Sequence, residues 1–580
     1  MKNFWKMTLA VICGLLIFGV IAFMLTMGII GSLASAGSSK PSLPKSGVLK
    51  IDMSSISLAE QTQEGSPLAA IQGVSDGTIG IWDATRAINI AAADPSVKFI
   101  YLLTDGGESD VAELYEFRQA LKDFRELSGK PVVSYIEMPT TGSYYLSSVS
   151  DKIYMTSHEG ATTMVTGVGT QMFFLGDLLK KLGVNMQLIR HGKYKSAGEM
   201  YTRNSSSEEN REQYQRMVDS MWETLSAEIA EGRRLTVDQV NDAIDNLKLN
   251  LPEDYLECGF VDELLDRQGL EDKLSTLAVE DKFKNVKMID FCDYVEAKVV
   301  PIKSKKKIAV IYADGEIMDA ETPGCISGNK FSSIIRKVAA DSTVKAVVLR
   351  VNSPGGSVLA SEKIKTELDA LKGVKPLIAS YGAYAASGGY WISNNCDRIF
   401  ANPLVLTGSI GVFGIVPDLS KTASDIAHVG IESVTSNKHG DMYGFMRPFD
   451  SEEYNYMLRS IESIYDKFTT VVSEGRGIPK ETVDSIGQGR VWTGTDGLSL
   501  NLVDEIGTLE DALRYAALQA GDSDIDNWAI KEYPRPQSQM EQILSMMNRN
   551  DDGESVLAKA YRQISEPKIL ARLDTEINVR

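Results

Sequence analysis

One serine in the second half of the chain, Ser387, has the sequence surroundings of a nucleophile. It follows a predicted strand and several small residues, and Gly388 and Gly389 come directly after it. Glycines let the backbone turn sharply and let a substrate carbonyl come close. If a helix starts there, the amide of Gly388 has no partner within the helix and could stabilise an oxyanion. The same short sequence is also typical of a helix N-cap serine in a tight turn.

A glycine-rich loop precedes this serine, and it could supply further amides to the same oxygen. The loop reads Ser353-Pro354-Gly355-Gly356-Ser357 and follows a β-branched run. Glycine amides just past the carboxyl end of a parallel strand are well placed to hold a negatively charged oxygen. Many such turns are purely structural, so the loop alone is weak evidence. The chain contains no GxxxxGK[ST], and no GxGxxG follows these strands, so nucleotide binding is not predicted.

A candidate base lies in the first half, because no histidine stands in the register of a triad. This residue is Lys195, within His191-Gly192-Lys193-Tyr194-Lys195-Ser196-Ala197-Gly198-Glu199. A lysine acts as a base only when it is neutral, and at its ordinary pKa of ~10.4 fewer than about one in a thousand is neutral near pH 7. Burial can lower the pKa of a lysine by several units. Most lysines are solvated side chains, and Lys193 is a rival base in this segment.

The chain contains one module twice, and each copy has lost a different part of the same candidate site. Thr141 in the first copy stands where Ser387 stands in the second, about 246 positions later. At the place that matches Lys195, the second copy has only Asn437-Lys438-His439-Gly440-Asp441. A serine kept in one copy and a lysine kept in the other indicate a site shared between the two halves.

The elements that must position these residues alternate between short apolar strands and amphipathic helices. Ala346 to Val351 is a β-branched run that ends at a turn signal, Asn352 to Gly356. Ile364, Leu368 and Leu371 then recur at helical spacing. Repeated units of this kind predict an α/β fold, with mostly parallel strands buried between helices.

The repeat and the flanking composition predict the domain organisation. The tail from Gln537 to Arg580 is polar and is predicted to be helical. The predicted segments are a cytoplasmic N-terminus (1–6), a transmembrane anchor (7–30), a tether (31–46), an N-terminal repeat domain with the lysine (47–290), a linker (291–305), a C-terminal repeat domain with the serine (306–522) and a C-terminal appendage (523–580).

The N-terminus has the composition of a membrane anchor. Met7 to Ile30 is an almost unbroken apolar stretch of about 24 residues, preceded by Lys2 and Lys6. A helix of this length crosses a hydrocarbon core of roughly 30 Å. Ala34-Ser35-Ala36 imitates a signal-peptidase site, but the apolar region of a cleavable signal usually has only ~7–15 residues. We therefore expect an uncleaved single-pass anchor with a cytoplasmic N-terminus.

Composition excludes several classes of function. The net charge of −18 and a pI near 4.9 argue against nucleic acid as the main partner. The chain has four histidines and no HExxH, so it is short of ligands for metal-dependent hydrolysis. No metal and no cofactor is therefore expected.

Taken together, the motifs resemble a known protease family. They are Ser353-Pro354-Gly355-Gly356-Ser357-Val358, Tyr384-Ala385-Ala386-Ser387-Gly388-Gly389-Tyr390-Trp391-Ile392, Thr407-Gly408-Ser409-Ile410-Gly411-Val412, Gly489-Arg490-Val491-Trp492-Thr493-Gly494 and, in the first half, Tyr194-Lys195-Ser196-Ala197. The chain resembles the long form of the signal peptide peptidase A family, also called protease IV, from about residue 47 to 520 and in its apolar N-terminus.

This resemblance implies a tandem repeat of crotonase-like/Clp-protease-like β-superhelix domains, assembled as a homotetramer. It also implies a serine endopeptidase with a Ser–Lys dyad that degrades cleaved signal peptides and other membrane or envelope peptides. The implied location is the bacterial inner membrane, with the catalytic domains on the periplasmic side. By position, the resemblance implies that Ser387 is the nucleophile, that Lys195 is the general base and that Ser409 orients the lysine. Gly355, Gly356 and Gly388 lie where the oxyanion amides are expected.

Two other functions agree with parts of the sequence. An acyl-CoA enzyme of the crotonase type shares the fold and the glycine-loop chemistry, and fold alone does not exclude it. A catalytically dead scaffold is the other alternative, and the degenerate first copy illustrates it. The presence of both Ser387 and Lys195 favours the protease over both alternatives.

The sequence leaves open whether Lys195 serves Ser387 of its own chain or of a neighbour. The two copies are covalently tethered and would naturally pack together. We therefore expect a site within one chain. Which of the glycine amides point inward is also left open by the sequence.

Overall fold

The computed structural model describes residues 14, 41–63, 77–107, 109–322, 324–536 and 569–572. The strands of the first half are β1 (Gly47–Asp52), β2 (Ile56–Ala59), β3 (Gly77–Gly80), β4 (Val97–Leu103), β5 (Val132–Ile136), β6 (Lys152–Thr156), β7 (Asn185–His191), β8 (Glu263–Leu265) and β9 (Met288–Asp290). Its helices are α1 (Ile81–Ala93), α2 (Val111–Ser128), α3 (Thr141–Ser147), α4 (Gly176–Lys181), α5 (Glu199–Thr202), α6 (Glu208–Arg233), α7 (Val237–Asp245), α8 (Pro252–Glu257), α9 (Arg267–Ala278) and α10 (Phe291–Lys298).

The second half continues with the same kinds of element. Its strands are β10 (Lys307–Asp314), β11 (Glu316–Met318), β12 (Cys325–Ser327), β13 (Val344–Ser353), β14 (Gly355–Ser357), β15 (Leu377–Ala386), β16 (Arg398–Ala401), β17 (Leu406–Gly408), β18 (Val412–Asp418), β19 (Val491–Thr493), β20 (Glu505–Ile506), β21 (Ala529–Tyr533) and β22 (Ile569–Arg572). Its helices are α11 (Gly328–Ala340), α12 (Val358–Lys372), α13 (Gly388–Ser393), α14 (Ser451–Arg476), α15 (Lys480–Ile486), α16 (Gly494–Ser499) and α17 (Leu509–Gln519).

Each half contains a parallel sheet, and the two sheets have the same strand order. In the first half the order is β8-β6-β5-β4-β1-β9, and the matching strands of the second half have the order β20-β16-β15-β13-β10-β21. The second sheet has two further strands, β17, which pairs parallel with the end of β15, and β19, which pairs antiparallel with β17. Strands β9 and β21 hold the same place, so the repeat reaches Tyr533 and passes the predicted boundary at 522. The prediction of an α/β fold with mostly parallel strands is confirmed.

The two copies also share specific contacts. The hydroxyl of Tyr144 donates to the carbonyl of Phe260 at 2.6 Å, and the hydroxyl of Tyr390 donates to the carbonyl of Leu502 at 2.9 Å. These tyrosines lie in α3 and α13, the helices that follow the matching strands β5 and β15. The register inferred from the sequence therefore holds in three dimensions next to the candidate nucleophile.

The apolar run of β13 explains how the sheet forms. Alternate side chains of a strand point to opposite faces. Val348 packs into a core that joins the two halves, whereas Val347 and Leu349 pack into the core of the second half. Both faces are thus covered, as expected of a parallel strand without polar alternation. Ser357 then caps α12 by accepting a hydrogen bond from the amide of Ala360 at 3.2 Å.

The two halves are packed together through a shared core and a buried ion cluster. Arg350 of β13 is fully buried, with Nε 2.5 Å from Glu60 Oε2 and Nη2 2.7 Å from Glu116 Oε1. Burial opposes the charge on this guanidinium, but the two carboxylates raise the pKa of Arg350. Because both glutamates belong to the first half, this cluster connects the copies within one chain.

A further sheet crosses from one half to the other. Its order is β12-β11-β14-β22-β18-β7, and β7 of the first half pairs antiparallel with β18 of the second. His191 at the end of β7 lies opposite Val412 at the start of β18. This pairing brings the segment after β7 to the carboxyl end of β17.

Two segments differ from the sequence predictions. The predicted linker, 291–305, includes the helix α10, whose Phe291 packs edge-on against Phe117 with ring centroids 5.9 Å apart. Part of the tail that was predicted to be helical is a strand, β22. The buried face of α10 was not recognised because its apolar residues lie next to a highly charged run.

The predicted transmembrane helix, 7–30, lies outside the described residues except for Gly14, and the predicted cytoplasmic residues 1–6 lie outside them as well. Within the described residues, no helix is both long and apolar enough to cross a membrane. This finding contradicts the prediction of a single-pass inner-membrane protein, which is withdrawn.

Candidate active site

Ser387 lies at the junction between β15 and α13, in a backbone conformation that is rare for a residue with a side chain. Its φ is 55° and its ψ is −113°. Its carbonyl accepts from the amide of Trp391 at 2.8 Å, which is the first bond of the helix, but its side chain makes no capping hydrogen bond. Holding a residue in such a conformation costs about 1–3 kcal/mol of folding free energy, and residues in such conformations are typical of functional sites. The hydroxyl of Ser387 is therefore not used as an N-cap.

Ser409 is brought beside Ser387 by strand pairing. Ala386 at the end of β15 lies opposite Gly408 at the end of β17, and the amide of Ser387 donates to the carbonyl of Gly408 at 2.8 Å. Ser387 directly follows Ala386, and Ser409 directly follows Gly408. Parallel strands end at the same edge of a sheet, so the two hydroxyls meet there.

Lys195 comes from the first half and reaches both serines. Its Nζ lies 2.8 Å from Ser387 Oγ, 3.0 Å from Ser409 Oγ and 3.3 Å from the carbonyl oxygen of Ser409. The three side chains are buried, with relative exposures of 1% for Lys195, 0% for Ser387 and 1% for Ser409. The structure thus places Lys195 within hydrogen-bond distance of both Ser387 and Ser409, the two serines singled out from the sequence.

Several contacts fix the segment that carries Lys195. Arg190 donates from Nη1 to the carbonyl of Lys195 at 2.8 Å. The amide of Tyr194 donates to the carbonyl of Gln488 at 3.0 Å, and Gln213 of α6 donates to the carbonyl of Tyr194 at 3.1 Å. Sequence reasoning missed Arg190 and Gln213, because nothing in their local pattern indicates which loop they support.

The rival base, Lys193, lies elsewhere. Its side chain is exposed, and its Nζ lies 5.0 Å from the centroid of the Tyr194 ring. The geometry accordingly favours Lys195 over Lys193.

Two glycines make the space that the lysine occupies. A Cβ built on Gly489, whose φ is +83°, would lie 2.5 Å from Lys195 Cβ and 2.6 Å from its amide nitrogen. A Cβ on Gly411 would lie 3.1 Å from Lys195 Cδ and 2.6 Å from the Cα of Gly489. Both glycines belong to motifs noted in the sequence, but their role becomes visible only when the two halves are packed together.

We expect Gly489→Ala to reduce peptide hydrolysis by about 100-fold, since a shift of ~1 Å at a reacting group can have an effect of that size. The new Cβ would displace Lys195 from Ser387. A suitable control is Gly477→Ala, because Gly477 also has a positive φ of +66° but has no atom within 4 Å of the added Cβ. Steady-state kinetics and thermal melting of both variants check the prediction. Equal loss of activity in the two variants would show that backbone strain, rather than contact with Lys195, is responsible.

The three glycines expected to serve the oxyanion also come together. A Cβ built on Gly388 would lie 3.1 Å from both the Cα of Gly355 and the amide nitrogen of Gly356. Gly355 and Gly356 have φ values of 100° and 150°, which only glycine adopts readily. Gly388 is the first residue of α13, where an amide has no partner within the helix.

Thr141, at the position in the first half that matches Ser387, uses its hydroxyl in a different way. Thr141 is fully buried, and its Oγ1 accepts from the amides of Thr166 at 3.1 Å and Gly167 at 3.2 Å. Its hydroxyl therefore supports a loop, whereas the hydroxyl of Ser387 contacts a lysine. This difference agrees with the prediction that the first copy has lost a part of the site that the second copy keeps.

A cavity of about 160 Å³ opens beside Lys195 and Ser409. Its lining combines apolar residues, Met172, Phe174 and Met200, with polar ones such as Gln171 and Asn210. A cavity of this kind can receive an apolar side chain of a bound molecule.

The comparison with protein families gives the same match in both halves. The model of peptidase family S49 matches residues 125–280 and 369–522. The first range includes Lys195, and the second includes Ser387 and Ser409. The repeat seen in the sequence and in the two sheets is thus a repeat of one peptidase module.

Proteins from several organisms resemble this chain over most of its residues. It is 33% identical over 514 residues to Protease 4 of Haemophilus influenzae, which covers 86% of this chain and 83% of that protein. It is 34% identical over 478 residues to Protease 4 of Salmonella typhi, covering 80% and 76% respectively. It is 30% identical over 475 residues to the chloroplastic serine protease SPPA of Arabidopsis thaliana, covering 78% and 68%. The chain therefore belongs to peptidase family S49 and is a serine peptidase.

Proposed function

We propose that the chain is an endopeptidase that uses Ser387 as nucleophile and Lys195 as general base. The observation that carries this proposal is the 2.8 Å contact between Lys195 Nζ and Ser387 Oγ in a buried site. A nucleophile within hydrogen-bond reach of a base, with the base held by a third group, is the general arrangement of covalent catalysis. Ser409 is the third group.

Ser409 orients the lysine in this proposal. A neutral amine has two N–H groups and one lone pair. The hydroxyl and the carbonyl oxygen of Ser409 both accept from Lys195 Nζ, at 3.0 and 3.3 Å. When these two acceptors hold the two N–H groups, the lone pair is left for the hydroxyl proton of Ser387.

The reaction then proceeds in two stages. Lys195 takes the proton of Ser387, whose oxygen attacks the peptide carbonyl, and the amides of Gly388 and of the Gly355–Gly356 loop hold the oxyanion of the tetrahedral intermediate. Lys195 gives its proton to the leaving amine, which departs and leaves an acyl-enzyme. Water, deprotonated by the same lysine, then releases the acid product and regenerates Ser387. Since only the neutral amine accepts the first proton, activity should rise with pH.

The proposed substrates are signal peptides that have been cleaved from secreted proteins. Support comes from the family resemblance of the motifs and from the apolar side chains of Met172, Phe174 and Met200, which form part of the lining of the cavity beside Lys195. The test is incubation of the chain with a synthetic signal peptide and with a version whose apolar core carries aspartates, followed by mass spectrometry. Faster cleavage of the apolar peptide supports the proposal. Equal rates, or cleavage that persists in Ser387→Ala, would contradict it.

We further propose that each half is a crotonase-like/Clp-protease-like β-superhelix domain and that the chain forms a homotetramer. The repeated parallel sheets and the motif resemblance support the first part, and the resemblance alone supports the second. Sedimentation of the purified chain, whose mass is 63.5 kDa, tests the second. A species of four times this mass is expected, and a monomer at micromolar concentration would contradict it.

We also propose that Lys195 serves Ser387 of its own chain, because the halves share a core and the Arg350 ion cluster. The test mixes subunits carrying Lys195→Ala with subunits carrying Ser387→Ala, unfolds them, reassembles them together and measures peptide hydrolysis. Sites within one chain stay inactive in every mixture. If sites were shared between chains, random mixing in a closed ring would restore about a quarter of the wild-type activity. Subunit exchange is verified separately with two fluorescent labels.

A further inference from the structure

The side chain of Gln213, on α6, lies against the segment that carries Lys195. This glutamine is only 2% exposed. Its Nε2 lies 3.1 Å from the carbonyl oxygen of Tyr194 and 2.9 Å from Ser196 Oγ. A third acceptor, Asn210 Oδ1, lies 3.1 Å from the same nitrogen. Tyr194 and Ser196 stand on either side of Lys195, so one amide group holds the base segment at two points.

The oxygen of the same side-chain amide contacts the second half of the chain. The backbone amide of Val491 donates to Gln213 Oε1 at 3.3 Å. Val491 is the first residue of β19 and lies opposite Gly408 of β17. The carbonyl of Gly408 in turn accepts from the amide of Ser387 at 2.8 Å. Gln213 therefore joins the segment of the base to the strands that support the nucleophile.

The two ends of this amide cannot be exchanged. A backbone N–H needs an oxygen as its acceptor, and a backbone carbonyl needs an N–H as its donor. The contacts with Val491 and Tyr194 thus fix the orientation of the Gln213 side chain. Asparagine has the same group on a shorter side chain, and an ionised glutamate has no donor. Glutamine is therefore the residue that the two contacts together require.

The internal repeat indicates that this glutamine goes with the lysine. Helices α6 (Glu208–Arg233) and α14 (Ser451–Arg476) hold matching places and both have 26 residues. The sixth residue is Gln213 in the first copy and Tyr456, which is exposed, in the second. The second copy, which lacks the counterpart of Lys195, thus lacks the glutamine as well. A residue that only the fold of the module needed would be expected in both copies.

We propose that Gln213 is a positioning residue for peptide hydrolysis, which sets the place of Lys195 relative to Ser387 and, being uncharged, does not favour protonation of the base. This inference rests on the proposed function, because that function makes Lys195 the base. The link must be uncharged, since only a neutral lysine accepts the proton of Ser387. A carboxylate in the same place would stabilise the ammonium form instead.

The charged side chains on the elements around this segment are Arg190, Lys193, Glu199, Glu212, Asp484 and Arg490. Four of them form two ion pairs, at 3.1 Å between Arg190 and Glu199 and at 2.9 Å between Arg490 and Glu212. Lys193 is exposed, and Asp484 accepts hydrogen bonds from Tyr465 and Gln488. A carboxylate at position 213 would add a further negative charge to this set and would favour a protonated lysine.

The experiment compares two substitutions of Gln213 in the full chain. Gln213→Leu removes the donor and the acceptor, and should lower kcat by about 100-fold at every pH, since a shift of ~1 Å at a reacting group has an effect of that size. Gln213→Glu keeps an acceptor for Val491 but adds a charge, and should move the rise of kcat with pH about one unit higher. Because Gln213 also lines the cavity beside Lys195, kcat is measured at saturating peptide.

Gln215 provides the matched control, because it lies on the same helix and is exposed, with its Nε2 2.8 Å from Asp219 Oδ1. Gln215→Leu and Gln215→Glu make the same chemical changes and should keep the wild-type kcat and pH profile. Thermal melting confirms that every variant is folded at the assay temperature. Wild-type kinetics in both Gln213 variants would overturn the proposal. A lower kcat in both with an unshifted pH profile would contradict it too, because structural damage alone accounts for that result.

A measurement without peptide hydrolysis separates failure of this inference from failure of the proposed function. Acetic anhydride, a small reagent that reacts only with neutral amines, acetylates chains carrying Ser387→Ala over a range of pH. Peptide mapping by mass spectrometry then gives the rate at Lys195, and hence its pKa. We expect this pKa to be about one unit higher when Gln213→Glu is added, and unchanged when Gln215→Glu is added.

The two failures then have different signatures. An equal pKa of Lys195 with and without Gln213→Glu would overturn the inference, even if no variant hydrolyses peptides. A shifted pKa supports the inference about Gln213. If Lys195→Ala nevertheless hydrolyses peptides at the wild-type rate, it is the proposed function that fails.

Discussion

Replacement of Ser387 by alanine is expected to abolish peptide hydrolysis and to leave the chain folded. The change removes a single oxygen, and that oxygen makes no capping bond that the helix α13 needs. The hydroxyl lies 2.8 Å from Lys195 Nζ. Loss of a nucleophilic serine lowers kcat by about 10⁴-fold or more in serine proteases. Steady-state hydrolysis of a signal peptide, with circular dichroism as the folding control, measures this effect.

The matched control is Thr141→Ala in the first copy. Thr141 occupies the repeat position of Ser387, but its hydroxyl accepts from the backbone amides of Thr166 and Gly167. Removal of this acceptor should lower the free energy of unfolding by about 1–3 kcal/mol and leave kcat nearly unchanged. Comparable loss of kcat in Ser387→Ala and Thr141→Ala would contradict the assignment of one active copy.

Replacement of Lys195 by either alanine or arginine is expected to inactivate the enzyme. Alanine removes the base, and arginine cannot become neutral in a protein and so cannot accept the proton of Ser387. General base catalysis contributes about 10²–10⁴-fold, and the lysine also protonates the leaving amine, so kcat should fall by about 10³-fold or more. Rates are measured at saturating peptide from pH 6 to pH 10, in order to separate lost chemistry from a shifted pH profile.

Lys193→Ala provides the control for this prediction. Lys193 is exposed and stacks its amine over the ring of Tyr194 at 5.0 Å. Its loss should leave most of the activity. An inactive Lys193→Ala together with an active Lys195→Ala would place the base two residues earlier and would contradict the geometry of the site.

Much of the site could be predicted from the sequence because its parts have local signatures. The glycines around Ser387 and the Ser353-Pro354-Gly355-Gly356 loop are confined to short segments, and each follows an apolar run that forms a parallel strand. The internal repeat added a second source of information, since Thr141 and Ser387 occupy matching positions in two copies of one module. The same repeat predicted that the lysine and the serine come from different halves.

Other features depend on contacts between distant segments, and no local pattern reveals these. The pairing of β7 with β18 carries Lys195 to Ser409, although the two strands are more than two hundred residues apart. The need for glycine at Gly489 arises from its positive φ and from Lys195, whose backbone and Cβ lie against it. Strand β22 was missed for a related reason, because its short run Ile569 to Arg572 lies in a polar tail and pairs with β14 and β18, which are far away in the sequence.

The most direct test of the Ser387–Lys195 site is covalent labelling with a peptidyl fluorophosphonate, followed by peptide mapping by mass spectrometry. Such a probe forms a bond with a serine oxygen that a neighbouring base has activated. We predict an adduct on Ser387 in the wild-type chain, and labelling at least about 100-fold slower in Lys195→Ala, in line with the size of general base catalysis. An adduct on another residue, or equal labelling rates in the wild type and Lys195→Ala, would contradict a Ser–Lys dyad at this site.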